Sequence, residues 1–230
     1  METISHSGNY NTWIFQKLSG YLRGHVLDIG SGIGNIVRLY LHSGAQRIIL
    51  VDEDEAMIEN LNSMFSQHDK VQVLKASIQQ EELLARVPLQ SIDTITCVNV
   101  LEHIEEDVKA LQHMKKLLKK DGRIVLLVPA LECLYGSLDA LVGHCRRYNK
   151  KTLKDSITRA GLAVEQQYYM NILGTASWFI SGRILKSRRF NPRICRWLDA
   201  CVPAISKMES GWPLPFGQSL VAVCKQEEIT

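Results

Sequence analysis

The chain has 230 residues, 46% of them hydrophobic and 22% charged, with a formal net charge of +3. That length suits one α/β domain with a sizeable core and an added cover, and the charge is too small for a global nucleic-acid footprint. No apolar run approaches the roughly 18–20 residues that span a bilayer, and the polar stretch from Met1 to Asn11 lacks the apolar centre of a secretory signal.

Helical apolar spacing around Tyr10 to Leu22 predicts an N-terminal helix. Val26 to Ile29 reads as the end of a buried strand that runs into Gly30, Ser31, Gly32 and, after Ile33, Gly34. Asn35 to His42 carries helical spacing at Ile36, Val37, Leu39, Tyr40 and Leu41. Glycines at such a turn let the backbone approach a ligand that any Cβ would block, and a helix start behind them offers N–H groups to an anion. The dinucleotide fingerprint G-x-G-x-x-G needs a glycine at position 35. Asn35 stands there, and the pattern is G-x-G-x-G. Asp28, just before the turn, suits a ligand carrying an ammonium group.

A second strand, Arg47 to Val51, ends at Asp52-Glu53-Asp54-Glu55 and leads to a helix through Met57, Ile58, Leu61 and Met64. Val71 to Leu74 is the third strand, with Ser77-Ile78 just beyond it. A helix around Gln79 to Arg86 precedes a fourth strand, Thr94 to Val98, which opens into Asn99-Val100-Leu101-Glu102-His103. Glu105 to Leu118 is an amphipathic helix, and Asp121-Gly122 turns the chain into the strand Arg123 to Val128. Ala163 to Tyr168 and Ser219 to Lys225 are two further strands, separated by a long irregular segment. Strands alternating with helices argue for βαβ units, a parallel sheet and right-handed crossovers. The six cysteines form no C-x-x-C pair, so zinc is not expected; Cys97 and Cys224 sit in apolar runs and read as core. Scattered cysteines without a secretion signal fit a reducing cytoplasm.

The glycine turn with Asp28 resembles the first motif of the class I S-adenosylmethionine-dependent methyltransferases, whose ligand carries an ammonium, a carboxylate and a ribose. The resemblance runs from Val26 to Val128. It implies an α/β, Rossmann-like doubly wound sheet of seven strands, mostly parallel with an antiparallel last strand, plus helical lid insertions. It also implies S-adenosyl-L-methionine as cofactor, S-adenosyl-L-homocysteine as product, and no metal. Ligands of such sheets lie outside the carboxyl ends of the strands. The cofactor candidates are therefore Asp28, Gly30, Ser31, Gly32 and Gly34, with Asp52 accepting from the ribose hydroxyls. Asp52 to Glu55 equally suits the capping of the following helix. Many relatives place an Asp against the adenine after the third strand; here Ser77 supplies a hydroxyl and Ile78 a packing surface. The N-V-L-E-H stretch resembles the segment beside the methionine part, which makes Asn99 the contact there. Some quinone-pathway O-methyltransferases join such a Glu-His to an upstream carboxylate as a metal site. The upstream residue here is Asn99, and hard cations prefer charged oxygens.

On the acceptor side, G-H-x-R-R-Y within Pro129 to Tyr148 resembles a subgroup of bacterial small-molecule methyltransferases, often of secondary or cell-surface metabolism. His144 is the first candidate proton acceptor, with His103 second. Arg146 and Arg147 suit a carboxylate or phosphate; Tyr135, Asp139 and Tyr148 add polar handles. The alternative is a helix–loop stabilised by His and Arg bonds to backbone and to Asp139. Leu173 to Trp212 is a second cover, with Trp178, Phe179, Ile180, Ile184 and Leu185 followed by Arg183, Lys186, Arg188, Arg189, Arg193 and Arg196 and no acid until Asp199. Such a basic amphipathic stretch, about 178–197, suits an anionic membrane surface, a lipophilic or anionic acceptor, RNA, or simple solvation. Its aromatic residues do not alternate with the basic ones as base stacking requires, so nucleic acid is disfavoured.

The expectation is a single cytoplasmic methyltransferase domain over 1–230, with a core of about 22–170 and 218–226 and lids of about 1–21, 130–150 and 172–216. It methylates a small organic acceptor, with O-methylation slightly favoured over C or N. The alternatives are an RNA or lipid-linked acceptor, a nonenzymatic S-adenosylmethionine-binding subunit, and an NAD-dependent oxidoreductase, the last disfavoured by Asn35.

Overall fold

The computed structural model describes residues 7–211 and 213–227, so the parts of the expected lids at 1–6 and at Trp212 lie outside the described residues. The strands are β1 (Arg23–Ile29), β2 (Gly44–Asp52), β3 (Val71–Lys75), β4 (Ile92–Val98), β5 (Leu118–Pro129), β6 (Leu162–Met170) and β7 (Ser219–Gln226). They form one sheet in the order β3-β2-β1-β4-β5-β7-β6. Pairings among β1 to β5 are parallel, and β7 is antiparallel to both β5 and β6. This is the doubly wound, seven-stranded sheet that the sequence implies.

Apolar residues alternate along the central strands, which buries both faces of the sheet. Val26, Ile48, Leu50, Val125 and Leu127 face the layer built by α1 (Gly8–Leu18), α2 (Val37–Tyr40), α3 (Glu55–Phe65) and, near the end of the chain, Val202. Leu27, Ile49, Val51, Leu126 and Val128 face the opposite layer of α4 (Glu81–Arg86), α5 (Asp107–Leu117) and α7 (Lys150–Arg159). Each fully buried Leu or Ile contributes about 1.5–3 kcal/mol, so a one-residue slip in register would be heavily penalised. Three further elements cover the carboxyl end of the sheet: α6 (Ser137–Val142), α8 (Ile172–Trp178) with a π-helical turn at Phe179–Ile184, and α9 (Pro192–Glu209). No helix among the described residues is long and apolar enough to cross a membrane.

Three local features differ from expectation. The helix behind the glycine turn is a single turn, Val37–Tyr40, instead of Asn35 to His42. Ser43 ends it, its N–H and hydroxyl both donating to the Tyr40 carbonyl at 3.0 and 2.6 Å, and β2 begins at Gly44. Strand β5 begins at Leu118, paired with Ile92, so Asp121-Gly122 lies inside the strand and not in a turn before it. The Lys119 ammonium on both Asp93 oxygens at 2.8 Å holds that early pairing. The stretch between β6 and β7, read as irregular, is largely helical, and a further helix, α7, precedes β6. The start of α7 is set by Asn149, whose Oδ1 accepts from Thr152 N–H at 2.9 Å, and that of α9 by Asn191, which caps Pro192 at its first position.

The strand order reverses between β1 and β4, which lie side by side with Ile29 opposite Cys97. The loops leaving these two strands therefore diverge at one point, where open α/β sheets bind ligands.

Candidate active site

That point is the floor of a cavity of about 1210 Å³ lying between the sheet and its cover. Gly30, Gly32 and Gly34 all have positive φ, at +70°, +53° and +77°. At Gly30 a Cβ would sit 2.2 Å from Cγ2 of Val100 in the loop after β4, so the two loops can meet only at glycine. A Cβ at Gly32 would meet nothing within 4 Å, which leaves that face of the turn open to the cavity.

Asp28 is buried beside this turn and receives two hydroxyls on Oδ1, from Thr96 at 2.5 Å and Tyr40 at 3.2 Å. Burial pushes its carboxyl up to about 6 despite those bonds. A nearby ammonium would favour the charged form. The Asp52 carboxylate bridges the turn and the next helix, accepting from Gly32 N–H at 2.8 Å and Asp54 N–H at 3.0 Å. Capping of α3 falls to Asp54, whose Oδ1 accepts from Ala56 N–H at 2.8 Å. Asp52 is therefore left at the cavity wall. Ser31, Ser77 and Ile78 line the same space. Asn99 does so with φ at +53°, a left-handed conformation uncommon outside glycine, held by its N–H on the Leu127 carbonyl at 2.8 Å.

The cover contributes a polar cluster centred on Asp139. This carboxylate is fully buried and accepts four bonds: His144 Nδ1 at 2.8 Å and Arg147 Nε at 2.7 Å on Oδ1, with Trp178 Nε1 at 2.9 Å and Gly136 N–H at 3.0 Å on Oδ2. Burial raises its pKa, but the His144 bond, the Arg147 charge and the Trp178 bond outweigh this and hold it below the usual carboxylate range. With Nδ1 donating to Asp139, His144 turns Nε2 toward Glu102, 3.7 Å from Oε1. Glu102 is fully buried, neither of its oxygens has a hydrogen-bond partner, and burial raises its pKa to about 8. The His103 ring lies edge-on to His144, centroids 4.8 Å apart, with Nδ1 3.2 Å from the Gly143 carbonyl. Burial and the neighbouring His144 lower the His103 pKa.

Glu102, His103, His144, Arg147 and Trp178 all line the main cavity. The ligand atoms of Glu102, His103 and His144 lie within 4.8 Å of one another, and this trio is the cluster among the described residues able to hold a cation. The metal site weighed from the sequence is disfavoured by Asn99 upstream of Glu102 and His103; in the structure the residue that joins those two is His144. Other expected acceptor contacts are placed elsewhere. Asp139 has its acceptor positions filled and can act only through His144. Tyr148 is no exposed handle: it is buried, and its hydroxyl donates to Asp107 at 3.0 Å. Arg146 bonds the Glu105 carbonyl at 2.8 Å and pairs with Asp107 at 3.4 Å. Tyr135 donates to the His144 carbonyl at 2.7 Å. Tyr135, Arg146 and Tyr148 face a separate hollow of about 420 Å³. Sequence reasoning missed Asn171, which lines the main cavity at φ +67° and caps α8 by accepting from Gly174 N–H at 2.9 Å. An Asn directly after a strand, with Gly three residues on, was the available signal.

Residues 13–167 match the family described as a methyltransferase domain. The chain belongs to that family. Over 122 residues it is 34% identical to the uncharacterized methyltransferase YcgJ of Bacillus subtilis (strain 168), a stretch covering 53% of this chain and 47% of YcgJ. The solved structure of YcgJ shares the fold, with a TM-score of 0.62, 21% identity, and 97% and 99% of the two chains covered. A ubiquinone biosynthesis O-methyltransferase of Acinetobacter baumannii (strain ACICU) is 25% identical over 112 residues, 49% of this chain and 46% of that protein. The chain thus spans about half or less of the curated relatives it matches. The Burkholderia thailandensis 1,6-didemethyltoxoflavin-N1-methyltransferase, solved with that substrate and S-adenosylhomocysteine, has the same fold (TM-score 0.61, 14% identity, 97% of this chain and 80% of that one covered).

S-adenosyl-L-methionine is the family's cofactor, and the residues present fit it. The open face at Gly32 admits a ligand against backbone, and two carboxylates, Asp28 and Asp52, stand within the same cavity for an ammonium and a diol. Ordinary ligand clefts measure roughly 300–1,000 Å³. The 1210 Å³ here leaves room for a cofactor and an acceptor side by side.

Proposed function

We propose that the protein transfers the methyl group of S-adenosylmethionine to a hydroxyl of a small organic acceptor, with His144 taking the hydroxyl proton. The observation that carries this reading is His144 on the wall of the cavity whose floor is the glycine turn, backed by the buried Asp139 at 2.8 Å. The bound cofactor supplies a methyl group on a good leaving group. What the chain must add is position, and holding two reactants in line accounts for much of such a rate. In this reading Asp52 accepts from the ribose hydroxyls, Ser77 and Ile78 meet the adenine, and Asp28, Gly30, Ser31, Gly32, Gly34 and Asn99 hold the methionine end. Asp139 fixes the His144 tautomer so that Nε2 is the basic atom. Arg147 and Trp178 clamp Asp139, with the guanidinium 4.8 Å over the indole. An acceptor hydroxyl is favoured over an amine because a hydroxyl is a weak nucleophile until a base takes its proton, whereas a neutral amine attacks without one.

Extract of the source organism, supplied with the protein and cofactor labelled in its methyl group, should yield label in a small-molecule fraction. Label found only in RNA would contradict the acceptor class. His144→Ala should lower kcat by about 10²–10⁴ while leaving S-adenosylhomocysteine affinity within threefold. Undiminished turnover at every pH would remove His144 as the base.

A further inference from the structure

The outward face of α9 is not an ordinary solvated helix surface. At 3.6 residues per turn, Arg193, Trp197, Ala200, Ala204, Lys207 and Met208 share one side, and all are exposed. Leu198, Val202 and Ile205 lie on the other. The helix contains two acids, and both are turned away. Asp199 accepts from Tyr10 N–H at 2.9 Å, and Glu209 accepts from the N–H groups of Asn171 and Ile172 at 2.9 and 2.8 Å. Between Gln166 and Leu198 the sequence has no acid at all. Among the described residues none of Arg183, Lys186, Arg188, Arg189, Arg193 and Arg196 forms an ion pair.

Large apolar side chains project among these cations: Ile184 is 61% exposed, Leu185 65%, Trp197 59% and Met208 75%. The Phe190 ring packs 6.0 Å from Trp178 and folds the basic loop back against the cover. The residue before the π-helical turn and the loop leading into α9 thereby meet at these two rings.

We propose that this surface, the turn Phe179–Ile184 and the outward face of α9, docks on an anionic phospholipid bilayer. Acidic headgroups supply the counter-charge that the chain withholds. The acyl boundary takes the apolar tips. RNA would match the charge but leave Ile184, Leu185 and Met208 in water, and the segment has no alternating aromatics for base stacking. The inner side of the same segment, through Phe190, Ile194 and Leu198, lines the main cavity. Docking therefore brings that cavity to the bilayer. This inference goes beyond the methyl-transfer reading and stands without it.

The test is co-sedimentation of the full chain with vesicles, without substrate. The protein should pellet with vesicles of equal parts phosphatidylcholine and phosphatidylglycerol, less so as salt rises, and stay in solution with phosphatidylcholine alone. The double variants Ile184→Asp/Trp197→Asp and Arg193→Glu/Arg196→Glu should each weaken binding about tenfold or more while melting as cooperatively as the parent. Failure to pellet with the mixed vesicles overturns the proposal. So does binding that the charge reversal weakens and the apolar pair does not, or tighter binding to single-stranded RNA than to the vesicles at the same salt.

Discussion

Glu102 carries the clearest consequence at the scale of single residues. Its carboxyl is buried without a donor, so the folded protein holds it protonated up to about pH 8, whereas an unfolded chain releases the proton near the ordinary value of 4.5. A folded pKa raised in this way contributes stability that is complete below about 4.5 and is lost as pH rises through about 8. Asp28 behaves alike, but its loss is complete by about pH 6. Between about pH 6 and 8 the loss is that of Glu102. His103, held below its ordinary 6.5, adds an opposing gain near 6.5 that wild type and a Glu102 variant share. Wild type should lose about 5 °C or more of Tm across that window, and Glu102→Gln, neutral at every pH, should lose clearly less. Equal slopes for the two proteins would show that Glu102 is not buried as a neutral acid. Asp28, the three glycines, Asp52 and Asn99 were legible in the sequence because each stands at or just past the carboxyl end of a strand, and strand ends are local features. Asp139, His144 and Arg147 were legible as a group within nine residues, but not the burial that gives all four acceptor positions of Asp139 to the protein. The approach of Glu102 to His144 was not legible, since 42 positions and the whole of β5 separate them.

Among the elements, the cover is held by close backbone approach as much as by side chains. A Cβ on Gly136, at the start of α6, would lie 2.7 Å from the Gly182 carbonyl in the π-helical turn. The Ser137 hydroxyl meets the same carbonyl at 3.1 Å and that of Ser187 at 2.7 Å. Gly136 has extended φ, so Gly136→Ala tests the approach alone and not backbone strain. It should part the turn from α6 and destabilise by roughly 1–3 kcal/mol, read as faster limited proteolysis within 179–191 while the sheet core stays protected. Unchanged cleavage there would mean that the contact is not what seats the turn. The βαβ elements were readable because period-2 and period-3.6 patterns coexist with buried faces. The helices of 172–209 were harder, since half their surface is exposed and only Val202 in α9 is fully buried. Their readable signals were caps, Asn171 and Asn191-Pro192, and not periodicity. The shortened α2 was settled by Ser43, a side-chain bond that no periodic pattern records.

At the scale of the whole molecule, sheet and cover together enclose one large cavity whose floor is common to the fold and whose roof is particular to this chain. The floor was foreseeable because the topological switch point follows from the order of strands and helices. The roof is assembled from segments near positions 10, 138–147, 171–178 and 185–205, and its shape depends on contacts between distant stretches. That is why the cofactor is argued from the sequence and the acceptor is not. The central claim is that this cavity binds S-adenosylmethionine through the glycine turn and Asp52, and calorimetric titration of the protein with S-adenosylhomocysteine and, separately, with NAD tests it directly. One equivalent of S-adenosylhomocysteine should bind, NAD should give no saturable heat, and Asp52→Ala should weaken the binding about 10–100-fold, as the loss of charged hydrogen bonds worth about 1.5–3 kcal/mol predicts. Tight binding of NAD without binding of S-adenosylhomocysteine, or unchanged affinity in Asp52→Ala, would contradict it.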